Sequence, residues 1–151
     1  QRAGDEQLAA KVHTVTAWQK SLKDSNLEKT KETAIQGAFL QMFFVDVLDY
    51  TSQFEGAAAW QLVQHPKTDV DRTEPDGALG FYSAERQSTQ VVIELKDALS
   101  ALDKKQTSRK QGYTPVEQAY LYASKFADCR WFVVSNFKEI RLYHKHTGLS
   151  R

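Results

Sequence analysis

The run Gln90-Val91-Val92-Ile93-Glu94-Leu95-Lys96 constrains this chain more than any other segment. Its β-branched and apolar residues make it a strand. Side chains alternate across a strand, so Val91, Ile93 and Leu95 point one way and Val92, Glu94 and Lys96 the other. A face carrying a carboxylate and an ammonium two residues apart is either solvated or, if packed, must pair its charges, because an isolated buried charge is costly. By itself Glu-x-Lys is a common triplet that fits an amphipathic strand with an ion-paired wet face. A stronger reading needs other residues converging on the same point.

The elements around this strand follow from periodicity and punctuation. Pro75-Asp76-Gly77 is a turn-like entry to a strand over residues 78–82, and the polar residues 83–88 form a hairpin connection to the next strand. Upstream, residues 5–23 carry Leu8, Val12, Val15 and Leu22 near helical spacing. Asp24-Ser25-Asn26 breaks that helix, and Ser25 with Glu28 fits a capping box. A second helix places Ile35, Phe39, Met42, Phe43 and Val47 on one face and closes at Tyr50. In residues 53–71, Trp60, Leu62 and Val63 fit a short strand or a turn of helix, which His65-Pro66-Lys67 ends. His65 reads as a surface loop residue.

Downstream, residues 97–112 are polar and read as a connection with a short helix at its start. Thr114-Pro115-Val116-Glu117 opens a helix running to about Phe126, with Thr as N-cap, Pro at the first position and Glu closing the box. Residues 130–135 form a strand, Asn136-Phe137-Lys138 a turn, and residues 139–143 the partner strand. The order is ααββαββ: an α/β (α+β) chain with one mixed central sheet flanked by helices, in a single domain over residues 1–151.

Composition bounds the partners. A length of 151 residues suits one domain with a true core. The net charge of +1 is no electrostatic footprint of a nucleic-acid binder, so affinity for DNA must come from local placement of charge. One cysteine, Cys129, excludes an internal disulfide and a cysteine-rich zinc site, and it reads as a small buried residue near a strand. No apolar run approaches the roughly 18 residues of a membrane span, and the polar N-terminus shows no signal peptide. A cytoplasmic protein is expected. The absence of a starting Met, and an end soon after a strand-like run, lead us to expect a piece of a larger polypeptide.

Asp76 gives Glu94 and Lys96 their significance. It stands eighteen residues before Glu94 at the mouth of the preceding strand, where a hairpin brings it beside Glu94. Two carboxylates at that junction make a hard, oxygen-rich site suited to Mg²⁺. Lys96 then lies where it can hold a water or a phosphate oxygen. This grouping suits phosphodiester hydrolysis, in which a metal polarises the phosphate and generates the nucleophile while a cation offsets developing charge.

Pro75-Asp76, a short gap and Glu94-Leu95-Lys96 resemble the PD-(D/E)XK nuclease signature. Gln118-x-x-x-Tyr122 is similar to the Q-x-x-x-Y motif that follows the catalytic strand in some of these enzymes, and residues four apart share a helix face. Glu32 occupies the family's acidic position on the early helix. More narrowly, several stretches resemble the nuclease part of single-chain (type IIG) restriction–modification enzymes. They are Lys31-Glu32-Thr33 to Phe39, Val47-Leu48-Asp49-Tyr50, Pro75-Asp76-Gly77-Ala78-Leu79, Ile93-Glu94-Leu95-Lys96-Asp97-Ala98, Thr114-Pro115-Val116-Glu117-Gln118-Ala119, Ser135-Asn136-Phe137 and Ile140-Arg141-Leu142-Tyr143. Together they span roughly residues 31–143. One departure is Asp49, where the pattern has Gly.

The resemblance implies a restriction-endonuclease-like core. It implies that Asp76 and Glu94 bind Mg²⁺ (Mn²⁺ as substitute), with the Leu95 carbonyl as a further ligand. Lys96 would orient or activate the attacking water, Gln118 would support the site, Tyr122 would contact or pack beside a phosphate, and Glu32 would bind metal through water. The competing structural roles are a polar helix N-terminus for Gln118, a core aromatic for Tyr122 and a solvated helix residue for Glu32. Lys104, Lys105, Arg109 and Lys110 could steer the phosphate backbone of double-stranded DNA, or form a solvated loop. His144 and His146, two apart near the end, are a weak metal pair.

The resemblance further implies methyltransferase and target-recognition modules in the same polypeptide. S-adenosylmethionine would serve only that missing part, since no Asn-Pro-Pro-Tyr or glycine-rich loop occurs here. Transient dimerisation on DNA follows from the need for two active sites in double-strand cutting. Alternatives are a nuclease domain of a type I-like or other phage-defence system, and an inert nucleic-acid-binding module of the same fold.

Overall fold

A computed structural model describes residues 2–24, 27, 29–106 and 112–146. Helix α1 (Arg2–Lys23) leads to α2 (Glu32–Phe39), which passes without a break into a π-helical stretch, Leu40–Val47. Strands β1 (Ala59–Gln64), β2 (Gly77–Ser83) and β3 (Gln87–Leu95) follow, then α3 (Pro115–Ser124), β4 (Trp131–Ser135) and β5 (Ile140–His144). The five strands form one mixed sheet in the order β1-β2-β3-β4-β5, antiparallel throughout except for the parallel β3–β4 pair. A parallel pair needs a long crossover, and α3 lies on it.

The expected order ααββαββ is corrected in one place: residues 59–64 form a true strand, so three strands precede α3. Its inward residue Leu62 is buried while its neighbours are half-exposed, because it is an edge strand with little to cover it. The short helix expected after Lys96 is absent. Two turns stand there, and they bury Ala98 and Leu102. Ser25 and Glu28, the expected cap of the second helix, lie outside the described residues. That helix opens instead at Glu32, with Lys31 as N-cap and no side-chain cap bond.

The alternation read for residues 90–96 holds. Ile93 and Leu95 join Leu62, Leu79, Val133 and Phe137 in one core, which Ile35, Phe39, Leu40 and Phe44 cover from α2 and the π-helical stretch. Val92 joins Phe132, Val134, Val116, Ala119 and Ala123 in a second core under α3. The expected inner face of the second helix is shifted: Leu40 and Phe44 are buried, while Met42 and Phe43 are only partly so. A π-helix closes i→i+5 bonds, as in Leu48 N–H to Phe43 O at 3.1 Å, and so turns its apolar face by one position.

The helix ends in a left-handed (αL) cap. Tyr50 N–H donates to Phe44 O and Asp49 N–H to Val45 O, both at 2.9 Å, with Asp49 left-handed at φ 63°. Glycine is the favoured residue there. The Asp49 carboxylate compensates by pairing with Lys11 of α1. Trp18 of α1 packs on Phe39 and Phe137 and donates to the Phe137 carbonyl at 3.1 Å, while Leu8 and Val12 of the same helix remain exposed.

Candidate active site

The register of β2 on β3 pairs Gly77 with Ile93, so one step outward sets Asp76 opposite Glu94. Asp76 is fixed from two sides. Its Oδ2 accepts the Leu95 backbone N–H at 2.6 Å, and its Oδ1 accepts Gln36 Nε2 at 3.0 Å. The same Gln36 nitrogen donates to Glu32 Oε1 at 3.0 Å, and Glu32 Oε2 accepts the Asp97 N–H at 3.1 Å. The first residue of α2 is thereby tied to both sides of the β3 end. Lys96 Nζ lies 2.6 Å from Glu94 Oε1, and both side chains are almost wholly buried, at 6% and 3% exposure. This settles the alternative posed by the strand: its charged face is packed and paired, not wet.

Electrostatics bind these groups together. Burial holds the Asp76 carboxyl above the ordinary aspartate range, against the pull of the Leu95 N–H, Lys96, His65 and Gln36. Burial likewise raises the Glu32 carboxyl, with Lys96 opposing it and Asp76 adding to it. Lys96 therefore acts on three carboxylates: Glu94 by contact, Asp76 and Glu32 through the field.

Gln118 lies at the N-terminus of α3, where the capping box is complete: Thr114 Oγ1 accepts the Glu117 N–H at 3.1 Å and Glu117 Oε2 accepts the Thr114 N–H at 2.9 Å. Gln118 is buried, its Oε1 accepts Gln106 Nε2 at 3.0 Å, and its own Nε2 has no partner among the described residues. Tyr122 is not gathered with the acidic group. It is half-buried against the α3 core, with the Lys125 ammonium 5.5 Å from its ring centre.

An open cleft of about 470 Å³ adjoins the β3 end, lined by Glu32, Lys96, Ser100, Lys104, Lys105 and Gln106 among others. Asp76, half-buried, and Glu94, buried, are not part of this lining. Lys104 and Lys105 are exposed at the cleft, whereas Arg109 and Lys110 fall outside the described residues. His65 is an exposed loop residue, as read, but its backbone N–H reaches the Asp76 carbonyl at 3.2 Å and its charge acts on that carboxyl. His144 meets Trp131 edge-on and lies at a tilt to His146, and among the described residues the two histidines join no third metal-ligating side chain. Cys129 is buried.

The fit of a divalent ion turns on the donor set. Among the described residues no three His, Cys, Asp or Glu side chains form a ready-made cage. The β3 end offers Asp76, Glu94 and the Leu95 carbonyl, all hard oxygens. Mg²⁺ accepts one or two carboxylates and keeps several waters, so this set fits it and does not fit zinc. Each Asp76 oxygen now accepting one bond retains a second lone pair.

Sequence reasoning missed Gln36 and Gln106. Gln36 is four residues after Glu32 and so shares its helix face, a signal legible in principle; Gln106 sits in a loop with no periodicity to reveal it. In comparisons with protein-family models, curated proteins and solved structures, nothing matches this chain. Among the described residues no helix is long and apolar enough to cross a membrane.

Proposed function

We propose that this chain is the cleavage module of a Mg²⁺-dependent DNA endonuclease with a restriction-endonuclease-like (PD-(D/E)XK) core. The observation that carries the reading is the convergence of Asp76, Glu94, Lys96 and Glu32 on one end of β3, beside a cleft bearing Lys104 and Lys105. A coincidental string of letters would not be expected to bury an acid–lysine pair and then tie two further carboxylates to the backbone on either side of Lys96.

Asp76, Glu94 and the Leu95 carbonyl would hold the ion, with Glu32 acting on it through water. The ion supplies Lewis-acid charge and a more acidic bound water. Lys96, held by Glu94, presents an ammonium to the water or the phosphate oxygen and offsets charge that builds up during hydrolysis. Gln36 keeps the Asp76 and Glu32 carboxylates apart and oriented. Gln118 supports the site from α3, and Lys104 and Lys105 draw the phosphate backbone into the cleft without choosing sequence. Tyr122 is best read as a packing residue.

In this reading, sequence choice and S-adenosylmethionine-dependent methylation reside in other modules of the same polypeptide, and two copies meet transiently on double-stranded DNA. The test is cleavage of plasmid DNA with Mg²⁺ or Mn²⁺, beside EDTA and Glu94→Ala. Metal-dependent cutting that the variant abolishes is expected, and cutting that persists unchanged in the variant refutes the assignment.

The absence of Asp76 and Glu94 from the cleft lining, with Glu94 buried against Lys96, favours a second reading, an inert nucleic-acid-binding module of the same fold. Mn²⁺ titration separates the two: only a live site binds the ion and loses affinity in Asp76→Asn. A cleavage domain of a type I-like or other phage-defence system keeps the same chemistry, and flanking helicase rather than methyltransferase motifs would mark it.

A further inference from the structure

The two edges of the sheet are finished differently. The β1 edge is covered by the chain just before it: the Thr51 carbonyl accepts the Gln61 and Leu62 N–H groups at 2.9 and 3.0 Å, and the Gln53 N–H reaches the Leu62 carbonyl at 3.3 Å. Among the described residues nothing pairs with the far side of β5, whose one neighbour in the sheet is β4. Natural proteins blunt such an edge with proline, an inward charge or a covering segment, because its bare backbone groups invite another strand. β5 contains no proline, and Ile140 and Leu142 stand 40% and 62% exposed on one of its faces.

The hydrogen-bonding direction of β5 follows from two bonds. The Lys145 N–H donates to the Arg130 carbonyl at 2.7 Å, and the Ser135 carbonyl accepts from Lys96 on the β3 side at 2.8 Å. Bonding direction alternates along a strand. Arg141 and Tyr143 therefore bond to β4, and the N–H and C=O groups of Ile140, Leu142 and His144 point out of the sheet.

These outward groups match their own two-fold image. Outward residues must meet outward residues, so the antiparallel registers are few. Two of them set Arg141 opposite the partner's Arg141 or the partner's Lys145, and like charges directly opposite are destabilising. Registers centred on Ile140 or His144 pair only one end of the strand. The register centred on Leu142 pairs the whole strand, sets Leu142 on the partner's Leu142 and Ile140 on the partner's His144, and places Glu139 opposite the partner's Lys145 at both ends. Arg141 already holds the Glu139 carboxylate at 2.9 Å on that face, and Lys145 Nζ, anchored on the Cys129 carbonyl at 3.1 Å, keeps further donors.

We infer that the β5 edge is a self-association surface, on which a second copy of this chain pairs antiparallel about a two-fold axis at Leu142 and continues the sheet across two protomers. The inference does not rest on the nuclease reading and needs no DNA. An isologous contact of this kind closes at two copies. A strand pairing five residues long is small beside the roughly 1,200–2,000 Å² of a stable interface, so the dimer is weak and forms with concentration.

The test is sedimentation equilibrium without DNA or metal, over about 10 µM to 1 mM to span weak affinities. The chains are the parent, Leu142→Lys and Leu8→Lys, with thermal midpoints to establish folding. Leu8, 62% exposed on α1, controls for loss of apolar surface in general. The parent should pass from monomer to dimer. Leu142→Lys sets two ammonium groups across the axis and should raise the dimer Kd at least about tenfold, while Leu8→Lys should leave it unchanged. Leu142→Cys and Ile140→Cys read the register, with oxidised glutathione taking up the two electrons of each disulfide. Directly opposite residues lie within disulfide reach, so Leu142→Cys should link two copies at least about tenfold faster than Ile140→Cys. A parent that stays monomeric, a dimer that Leu142→Lys leaves intact or Leu8→Lys weakens equally, or Ile140→Cys linking as fast as Leu142→Cys overturns the inference. None of these readouts uses cleavage, so the nuclease reading is judged apart from them.

Discussion

Replacing Lys96 with Met tests the electrostatic logic of the β3 end without assuming any activity. Met keeps the length of the buried stem and removes the ammonium 2.6 Å from Glu94 Oε1. Breaking a buried ion pair from one side costs about 3–5 kcal/mol, because the remaining charge stays desolvated. For a chain of this size that is a fall in Tm of about 6–20 °C. Lys96 also opposes the burial that raises the Asp76 and Glu32 carboxyls, so its loss raises both further.

The sign follows directly. A carboxyl whose folded pKa lies above its unfolded value contributes stability that is present below the unfolded pKa and lost as pH rises through the folded one. Lys96→Met should therefore lose more stability near pH 7 than near pH 4. Urea unfolding followed by circular dichroism at several pH values measures this. The double variant Glu94→Gln/Lys96→Met should recover more than half of the loss, with the remainder belonging to Asp76 and Glu32. A Lys96→Met stability within about 1 kcal/mol of the parent at neutral pH, or a double variant whose loss is the sum of the singles, would refute the pairing argument.

Two further perturbations probe the frame. At Gly80 an added Cβ would lie 2.0 Å from the Ser88 carbonyl oxygen, where the β2–β3 register shifts, so Gly80→Ala should cost at least about 2 kcal/mol in denaturant unfolding; a silent substitution would mean the strands are farther apart than described. Lys125, Thr73 and Thr68, which donate to Asp71, hold its carboxyl well below the usual aspartate range. That stability is present above the unfolded pKa and is lost as pH falls through the folded one. The gap between parent and Asp71→Asn should thus be open at pH 5 and narrow below pH 3, and a gap independent of pH would disprove it.

Much of this was legible along the chain. The alternation of residues 91–95 assigned their faces before any neighbour was known, and the Thr114-Pro115-Val116-Glu117 box located α3 because both of its bonds are local. The departure at Asp49, where glycine fits the pattern, marked a position that does adopt a left-handed φ. The inner face after Phe39 was misread because helical periodicity assumes i→i+4 bonds and the chain widens to i→i+5 there. Strand β1 was not separable from a turn of helix because an edge strand of six residues carries too little periodicity to decide.

The start of α3 and the identity of the charged face of β3 reside in local spacing, which the sequence by itself determines. Whether that face is wet or packed does not, because desolvation depends on what α3 and the following loop lay over it. Tertiary structure alone decided that Glu94 and Lys96 are a buried pair, that Gln36 yokes Glu32 to Asp76 across forty residues of chain, and that Gln106 donates to the amide oxygen of Gln118. Such contacts are set by how elements dock, and docking is a property of the summed packing of both cores, which no short stretch of sequence encodes.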